Sequence, residues 1–281
     1  MIFYLLALLS PLAFALGTVL QQRGALQTSA REGDPRFFAQ VIRRPVWFLG
    51  GFVTVCAFGL QAAALRFGSL AVVQALQALS LVFALPFGIY LTRQRITRRS
   101  GIAAGLTVAG LIVFVLFGQP EGGTTMPSAT AWLVAGIAVA VGTIGLTWAG
   151  LRYRGPAAAG LLGTGAGVLF ALQAALTKLL VTELGRGAVA ILTAWPFWIF
   201  LLVACVGFAL QQASLKTGFL APAISGLEAA TLAVSITLAV SLFEEDFAGG
   251  LLSLVPALAG LGLAIAGVVV LSTARGRESI H

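Results

Sequence analysis

The stretch FGLQAAALRFGSLA, residues 58–71, returns as FALQQASLKTGFLA at residues 208–221, which is 150 positions later. Eight of the fourteen positions are identical, and a ninth pairs Arg66 with Lys216. Shorter matches extend it outward: Pro45-x-Trp47 with Pro196-x-Trp198, and GLTVAGLIV from Gly105 with GLAIAGVVV from Gly262. A shared apolar composition would produce chance matches of Ala and Leu. It would not also align a glutamine, a basic residue and a glycine in the same register. The chain contains an internal duplication, which in membrane proteins is typical of secondary transporters.

The composition is that of an integral membrane protein with little mass outside the bilayer. Apolar residues make up 59% of the 281 residues, the mean hydropathy is +1.01, and 9% of residues are charged, whereas a soluble domain carries about 25%. One His and two Cys argue against a metal cluster or a disulfide framework. Cys56 and Cys205 are predicted to be small buried residues within apolar spans. The first apolar stretch has no basic leader, so we expect it to remain as a span.

Nine segments are long and apolar enough to cross a bilayer, since a helix needs about 20 apolar residues for a core of about 30 Å. The predicted spans are residues 2–22, 46–66, 69–91, 101–118, 129–150, 157–181, 190–213, 218–243 and 251–272. The sequence therefore predicts an all-α polytopic membrane protein. Two glycine pairs, Gly101-x3-Gly105 and Gly163-x3-Gly167, are predicted to let neighbouring helices approach closely.

The basic residues predict the orientation of these spans. Nine spans place the termini on opposite sides, and Lys and Arg divide 14 to 3 between the two sides. The larger group is Arg23, Arg31, Arg36, Arg43, Arg44, Arg93, Arg95, Arg98, Arg99, Arg152, Arg154, Lys216, Arg275 and Arg277; the smaller is Arg66, Lys178 and Arg186. Cytoplasmic loops carry the excess of positive charge. We therefore expect a multi-pass protein of the plasma (cytoplasmic) membrane with its N-terminus outside and its C-terminus in the cytoplasm.

The duplication divides the chain into two four-helix repeats and a linker. We predict a first repeat over residues 1–118, a linker helix within residues 119–155, and a second repeat with a short cytoplasmic tail over residues 156–281. Four spans plus one linker span turn the second repeat upside down relative to the first. Inverted repeats let one protein open alternately to each side of a membrane.

Glu228 is the carboxylate that the sequence places deepest in the bilayer. It lies about ten residues into the eighth span, which is roughly 15 Å at 1.5 Å per residue. An acid at that depth is costly and usually faces a cavity or a partner. Glu228 is therefore predicted to handle substrate or protons, with a structural Glu bonded to a neighbouring helix as the alternative. If a metal ion binds, Glu228 is its predicted ligand.

Glutamines inside the apolar spans predict a polar path from both faces to the middle. Gln77 is at or beside the repeat equivalent of Glu228, and Gln74 lies one turn away on the same helix face. These two are predicted to bind substrate together with Glu228. The residues predicted to line the path or gate it are Gln61, Gln211, Gln212, Gln173, Gln22 and Lys178. Taken singly, each glutamine could instead be a hydrogen bond between helices.

Charged residues near the outer boundary are interpreted as surface groups. Lys178 aligns with Gln22 between the repeats, and its ammonium group is expected to snorkel to the interface or to border the path. Glu244, Glu245 and Asp246 form an acidic turn that is predicted to be solvated, where it could also concentrate cations.

Four stretches resemble the drug/metabolite transporter superfamily, and within it the EamA/NIPA-like branch of nine-span magnesium transporters. LAFALGTVLQQRGAL from Leu12 is similar to the family's first helix, and RFGSLAVVQALQALSLVFALPFG from Arg66 to its third. RRSGIAAGLTVAGLIVFV from Arg98 is similar to its Gly-rich fourth helix. LLGTGAGVLFALQAALTKLL from Leu161 matches the helix in which that branch has a lysine. The resemblance implies nine spans, an outside N-terminus and transport of a solute.

The sequence departs from the NIPA-like pattern in its second and third helices. That pattern has an intramembrane Glu, followed three residues later by Asn, where this chain has Ala57 and Leu60. The third-helix proline of the pattern is Gln74 here. Magnesium takes oxygen ligands in an octahedral array, usually with one or two carboxylates. The acid that the resemblance implies is absent, and magnesium transport is the alternative rather than the leading interpretation.

The leading interpretation is a secondary transporter that moves a small polar or cationic solute by alternating access. The alternatives are a divalent-cation carrier of the magnesium type and a passive channel. An enzyme is not predicted, because no nucleophile with a base and no His or Cys constellation is present. A nucleotide-binding loop is absent as well, so no cofactor is expected. The expected partners are a small-molecule or ion substrate and the lipid bilayer, with no nucleic acid; a homodimer is left open.

Overall fold

The computed structural model describes residues 2–27, 44–92, 98–118, 120–121, 123–124, 126–183, 188–217, 219–247 and 250–278. The basic segments 28–43 and 93–97, which supply part of the charge count used to predict the orientation, lie outside the described residues. The elements are α1 (Ile2–Leu26), α2 (Pro45–Phe67), α3 (Leu70–Gln77), α4 (Leu79–Thr92), α5 (Arg98–Gly118), β1 (Pro120–Glu121), α6 (Ala129–Arg152), α7 (Pro156–Glu183), α8 (Ala188–Thr193), α9 (Trp195–Lys216), α10 (Leu220–Phe243), β2 (Asp246–Phe247) and α11 (Gly250–Glu278).

The predicted fold class is confirmed. Within the described ranges, nine helical segments are long and apolar enough to cross a membrane. Many large apolar side chains point outward, among them Phe52 and Val55 on α2 and Val141 on α6, as expected for surfaces that face lipid. Cys56 and Cys205 also face outward, so the prediction that they are buried is wrong. Lipid is as good an environment for a thiol as the protein interior, and apolar sequence alone does not distinguish the two.

Contacts at one end of the bundle reveal the directions of the helices. The Phe3 ring, at the start of α1, lies against Gly68 just before α3. Lys178, near the end of α7, contacts Glu245 just after α10, and β1 pairs with β2. Helices α1 and α3 thus begin where their repeat equivalents α7 and α10 end, as inverted repeats require. We call this the outer end, and the opposite end the inner end, after the topology that the basic residues predict.

Packing follows the same duplication. In the first repeat α1 packs against α2 and α4, and in the second repeat α7 packs against α9 and α10. The fourth helix of each repeat, α5 and α11, pack against each other. The short helix α3 belongs to the first repeat by sequence but contacts α10 and α7 of the second. It therefore lies at the junction between the two halves.

Glycines permit close helix approach, but only some of the predicted ones do so. A Cβ on Gly163 would lie 2.2 Å from the Ala223 carbonyl oxygen, and one on Gly167 would lie 2.3 Å from that of Leu227. These contacts bring α7 against α10. By contrast, a Cβ on Gly101 or Gly105 would meet no described atom within 4 Å. The prediction for the first pair is therefore wrong, because both residues of that pair lie on a face of α5 that points away from α11.

Two glycines on α11 provide a matched test of this packing. A Cβ on Gly260 would lie 2.7 Å from both the Gly110 carbonyl oxygen and the Phe114 amide nitrogen, whereas one on Gly262 would meet nothing described within 4 Å. We expect Gly260→Ala to destabilise the protein by about 1–3 kcal/mol through overpacking, and Gly262→Ala to leave stability unchanged or slightly raised. Unfolding of the purified variants in mixed micelles measures both. Equal stabilities would contradict the close α5–α11 packing.

Two predicted spans are interrupted. The span predicted at 190–213 is split at Ala194, whose backbone is extended, and α9 begins at Trp195 with Pro196 in its first turn. Proline lacks the amide hydrogen that a preceding turn would need, so it begins the helix and does not kink it. Residues 70–91 form one candidate membrane helix, but its α-helical hydrogen bonding is interrupted at Ala78, between α3 and α4, where the backbone stays right-handed helical. Neither glycine nor proline occurs at this break, before which α3 contacts both α10 and α1 and after which α4 contacts α1.

Candidate functional site

A cavity of about 430 Å³ lies between the two repeats. Its lining comes from α1, α2, α3, α4, α7, α9 and α10. It extends from Thr177, next to Lys178 on α7, to Leu215, one residue before the inner end of α9. The cavity lining therefore runs from about 9 Å inside the outer end of α7 to the inner end of α9.

Six of the nine predicted site residues line this cavity. They are Gln61, Gln74, Gln77, Gln173, Gln211 and Glu228. The other three are elsewhere: Gln22 and Gln212 are exposed side chains outside the cavity, and Lys178 is buried in an ion pair beyond its outer end. The structure thus brings together five amides and one acid from five helices.

Gln74 is the most deeply buried of these amides. It lies on α3, its side chain is 4% exposed, and no acceptor among the described residues lies within hydrogen-bond distance of its Nε2. A buried donor without a partner costs about 1–3 kcal/mol. Gln74 also lines the cavity, so a rotation of its side chain would bring this donor to whatever occupies the cavity.

The side chain of Gln77 is positioned by a residue of α1. The Ser10 hydroxyl lies 3.3 Å from the Gln77 side-chain oxygen and 3.2 Å from the Ala57 carbonyl oxygen, and it can donate to either. This contact ties α1 to the end of α3 and orients the Gln77 amide. Ala57, which stands where the NIPA-like pattern has Glu, is fully buried and contributes only its backbone carbonyl.

Glu228 is the one charged side chain among the described residues that line the cavity. It is half-buried on α10, which packs against α3 and α7. Aromatic rings border the same space: Phe14 and Phe58 meet edge to face with centroids 4.6 Å apart, and Phe170 lines the opposite side. One acid, several amides and aromatic faces can bind a polar or cationic solute through charge, hydrogen bonds and cation–π contact.

A metal centre is not assembled by the residues that the structure describes. Within those ranges, no three His, Cys, Asp or Glu side chains come close enough together to hold an ion. The cavity therefore offers a divalent cation a single carboxylate together with amide oxygens, which is a sparse set for Mg²⁺.

Replacing Gln74 by Leu separates binding from folding. The substitution removes the unpartnered donor, so we expect the thermal stability of the purified empty protein to be unchanged or higher. Solute affinity should fall about tenfold, which corresponds to one hydrogen bond worth about 1.4 kcal/mol. Thermal unfolding and the KM of transport measure the two effects. A loss of stability with unchanged KM would instead make Gln74 a structural residue.

A buried ion pair lies beyond the outer end of the cavity. Lys178 Nζ is 2.5 Å from Glu245 Oε1, and the two residues are 7% and 1% exposed. Glu245 also accepts from the amides of Leu70 (2.6 Å) and Ala71 (3.1 Å) and from the Ser69 hydroxyl (2.6 Å). Four donors thus fill the acceptor sites of this carboxylate, and its charge lies at the positive end of α3. We call Ser69, Leu70, Lys178 and Glu245 the outer ion-pair cluster.

The backbone around Glu245 is shaped to place it there. Glu244 adopts a left-handed conformation with φ of 53° and ends α10, which lets the Glu245 amide return to the Ala239 carbonyl at 3.1 Å. Gly123, with φ of +87°, passes so close that a Cβ would lie 2.6 Å from the Phe243 carbonyl oxygen. The Phe243 ring lies 4.5 Å from Lys178 Nζ and adds a cation–π contact.

The predicted solvation of Glu245 and the snorkelling alternative for Lys178 are therefore wrong, while a place for Lys178 along the path stays a prediction. Glu245 is buried rather than solvated, although its neighbours Glu244 and Asp246 are exposed. Lys178 does not snorkel to the surface, because it is paired with Glu245. The predicted depth in the membrane could have revealed the pair. Both residues were expected near the outer boundary, where a lysine and an acid of equal depth tend to form an ion pair.

Comparison with known proteins agrees with this architecture. The sequence model of the EamA-like transporter family matches residues 32–116. An uncharacterized protein of Corynebacterium glutamicum is 30% identical over 247 residues, which cover 86% of this chain and 85% of that relative. The chain thus contains a domain of the EamA-like transporter family. No solved structure matches it.

This domain and the nine apolar helices of the described residues indicate a membrane transporter of small solutes. The domain also supports the superfamily part of the resemblance noted in the sequence. The relative is uncharacterized, so it supplies no substrate. For this EamA-like transporter, the chemistry of the cavity is therefore the guide to what is carried.

Proposed function

We infer that the protein is a secondary active transporter that moves a small polar or cationic solute by alternating access between its inverted repeats. The observation that supports this is the cavity between the repeats, a space of about 430 Å³ whose wall includes Glu228 and Gln74. That volume suits a small organic molecule and far exceeds a bare ion. A carboxylate with amides and aromatic rings favours a solute that has both donors and acceptors.

Each polar residue of the cavity has a separate role in binding the solute. Glu228 pairs with a positive group on the solute, or exchanges a proton that drives transport. Gln74 donates to an acceptor on the solute, and Gln77, oriented by Ser10, adds a second amide about one turn further along α3. Gln61, Gln173 and Gln211 extend the polar lining along the path, so a hydrated solute exchanges water for amide contacts stepwise as it moves.

The orientation in the membrane is part of the proposal. The excess of basic residues supports an outside N-terminus and a cytoplasmic C-terminus in the plasma membrane. A cysteine placed within residues 93–99 should therefore react with a membrane-impermeant thiol reagent in inverted vesicles but not in intact cells. Labelling from outside intact cells would reverse the assignment.

Counterflow in proteoliposomes tests the transport mechanism. Vesicles loaded with an unlabelled polar or cationic solute should accumulate the labelled solute transiently, with an uptake rate that saturates. Fluorescent reporters of internal pH and Mg²⁺ should record whether protons or magnesium move as well. Flux that rises linearly with concentration and shows no counterflow would make the protein a passive channel. Saturable Mg²⁺ uptake with no organic substrate would make it a divalent-cation carrier.

A further inference from the structure

We propose that the outer ion-pair cluster is the outer gate of the transport cavity, held closed by the contact between Lys178 and Glu245. This assignment rests on the proposed alternating-access function and adds Glu245, a residue outside the cavity, to the residues on which transport depends. Four features support it: position, connection between the repeats, reversibility and linkage to the cavity.

The cluster lies directly beyond the cavity on two helices. On α7, Lys178 follows the cavity-lining Thr177, and Ala174 lines the cavity one turn earlier. At the start of α3, the amides of Leu70 and Ala71 donate to Glu245. They lie about one turn before Gln74 on the same helix. A solute leaving toward the outer end would therefore meet this cluster next.

The cluster also joins the two repeats. Lys178 and Glu245 belong to the second repeat, whereas Ser69, Leu70 and Ala71 belong to the first. Glu245 is the group that connects them, since its two oxygens reach Lys178 and all three residues at the start of α3. To open the cavity to the outer side, the repeats must separate here, and each of these contacts must break.

A buried ion pair suits a contact that has to break and re-form. Burial of the two charges costs desolvation that their attraction roughly offsets. When the cluster separates, water hydrates both charges and the freed α3 amides, so the open form regains much of what the closed form loses. Packed apolar side chains would have no such compensation on exposure to water.

The short helix α3 links this gate to the cavity. Its first turn is held by Glu245, its Gln74 lines the cavity, and the break at Ala78 separates it from α4. A solute that accepts a hydrogen bond from Gln74 acts on the same eight-residue helix. Occupancy of the cavity thus bears directly on the helix that closes the outer end.

Thiol accessibility tests the gate. The background replaces Cys56 and Cys205, which face outward within the spans, by Ser, and the reporter is Ala174→Cys in the cavity wall. A membrane-impermeant methanethiosulfonate reagent is applied to intact cells or to inverted vesicles. We expect slow labelling from outside in the parent, and labelling from outside at least about tenfold faster in Glu245→Gln and in Lys178→Met, because each removes one charge of the pair.

Controls keep this test decisive. Glu244→Gln makes the same chemical change at the exposed neighbour and should leave the outside rate within about twofold of the parent. Glu245→Gln retains an oxygen for the α3 amides, so it can report even if Lys178→Met fails to fold; a single symmetrical size-exclusion peak in detergent confirms that each variant is folded. Unchanged outside rates in folded Glu245→Gln, or acceleration only from the cytoplasmic side, would overturn the gate.

Failure of the gate and failure of the proposed function give different results. If the parent shows counterflow while the gate variants label like the parent, transport stands and the gate assignment is wrong. If no solute shows counterflow but the gate variants label faster from outside, the cluster still closes the cavity and the transport proposal is wrong.

Discussion

Glu228→Gln is expected to lower the rate of solute uptake into proteoliposomes by at least about tenfold. Glu228 is the one charged group among the described residues of the cavity wall, and a hydrogen bond to a charged group contributes about 1.5–3 kcal/mol, which is tenfold or more in affinity. The substitution keeps the shape and polarity of the side chain. It removes only the negative charge and the capacity to exchange a proton.

The control for Glu228→Gln is the same substitution at an exposed position, Glu244→Gln. Glu244 is exposed after α10, so the same chemical change there should leave uptake within about twofold of the parent. Uptake should be measured at several external pH values, since a proton-coupled carrier loses its pH dependence with Glu228→Gln whereas a carrier that only binds a cation loses affinity. Unchanged uptake and unchanged pH dependence would remove Glu228 from the mechanism.

Lys178→Met is expected to lower the free energy of unfolding by about 3–5 kcal/mol, the cost of leaving a buried charge without its partner. Glu245 stays fixed by the α3 amides and by Ser69, and its carboxylate is 1% exposed. The unpaired charge cannot move into water without uncapping α3. Unfolding by denaturing detergent in mixed micelles measures the loss.

A double-mutant cycle isolates the pair. Lys178→Met combined with Glu245→Gln removes both charges and should recover part of the stability lost in Lys178→Met alone, because a buried neutral pair has no desolvated charge. The coupling energy between the two positions then reports the interaction itself. Additive losses in the double variant would show that Lys178 and Glu245 do not interact in the folded protein.

The nine spans could be predicted from the sequence because they depend on hydropathy along the chain, which the fold does not alter. The inverted order of the repeats could be predicted for a similar reason, since an odd number of intervening spans fixes direction. The gathering of Gln74, Gln77 and Glu228 around one space follows from their depth and from the repeat alignment. Their roles in transport remain predictions.

The features that could not be predicted are those set by contacts between helices, which the sequence does not reveal. The break at Ala78 has no glycine or proline to mark it and lies between α3, which contacts both α10 and α1, and α4, which contacts α1. Glu245 sits in an acidic turn that resembles any solvated loop, and only the folded chain brings it to Lys178 and to the start of α3. Gly101 and Gly105 have the spacing of a packing motif but face away from their neighbour.

The pairing of Lys178 with Gln22 in the repeat alignment has a kinetic consequence. At the inner end that equivalent residue is an exposed, uncharged amide, so sealing the cytoplasmic mouth cannot re-create an ammonium–carboxylate contact at this position. In the proposed alternating-access cycle the two conformers would therefore be unequal in energy, and we expect the empty protein to rest facing the cytoplasm. Externally added substrate would then bind with an apparent affinity reduced by the fraction of outward-facing molecules, and solute loaded on the cytoplasmic side would accelerate uptake.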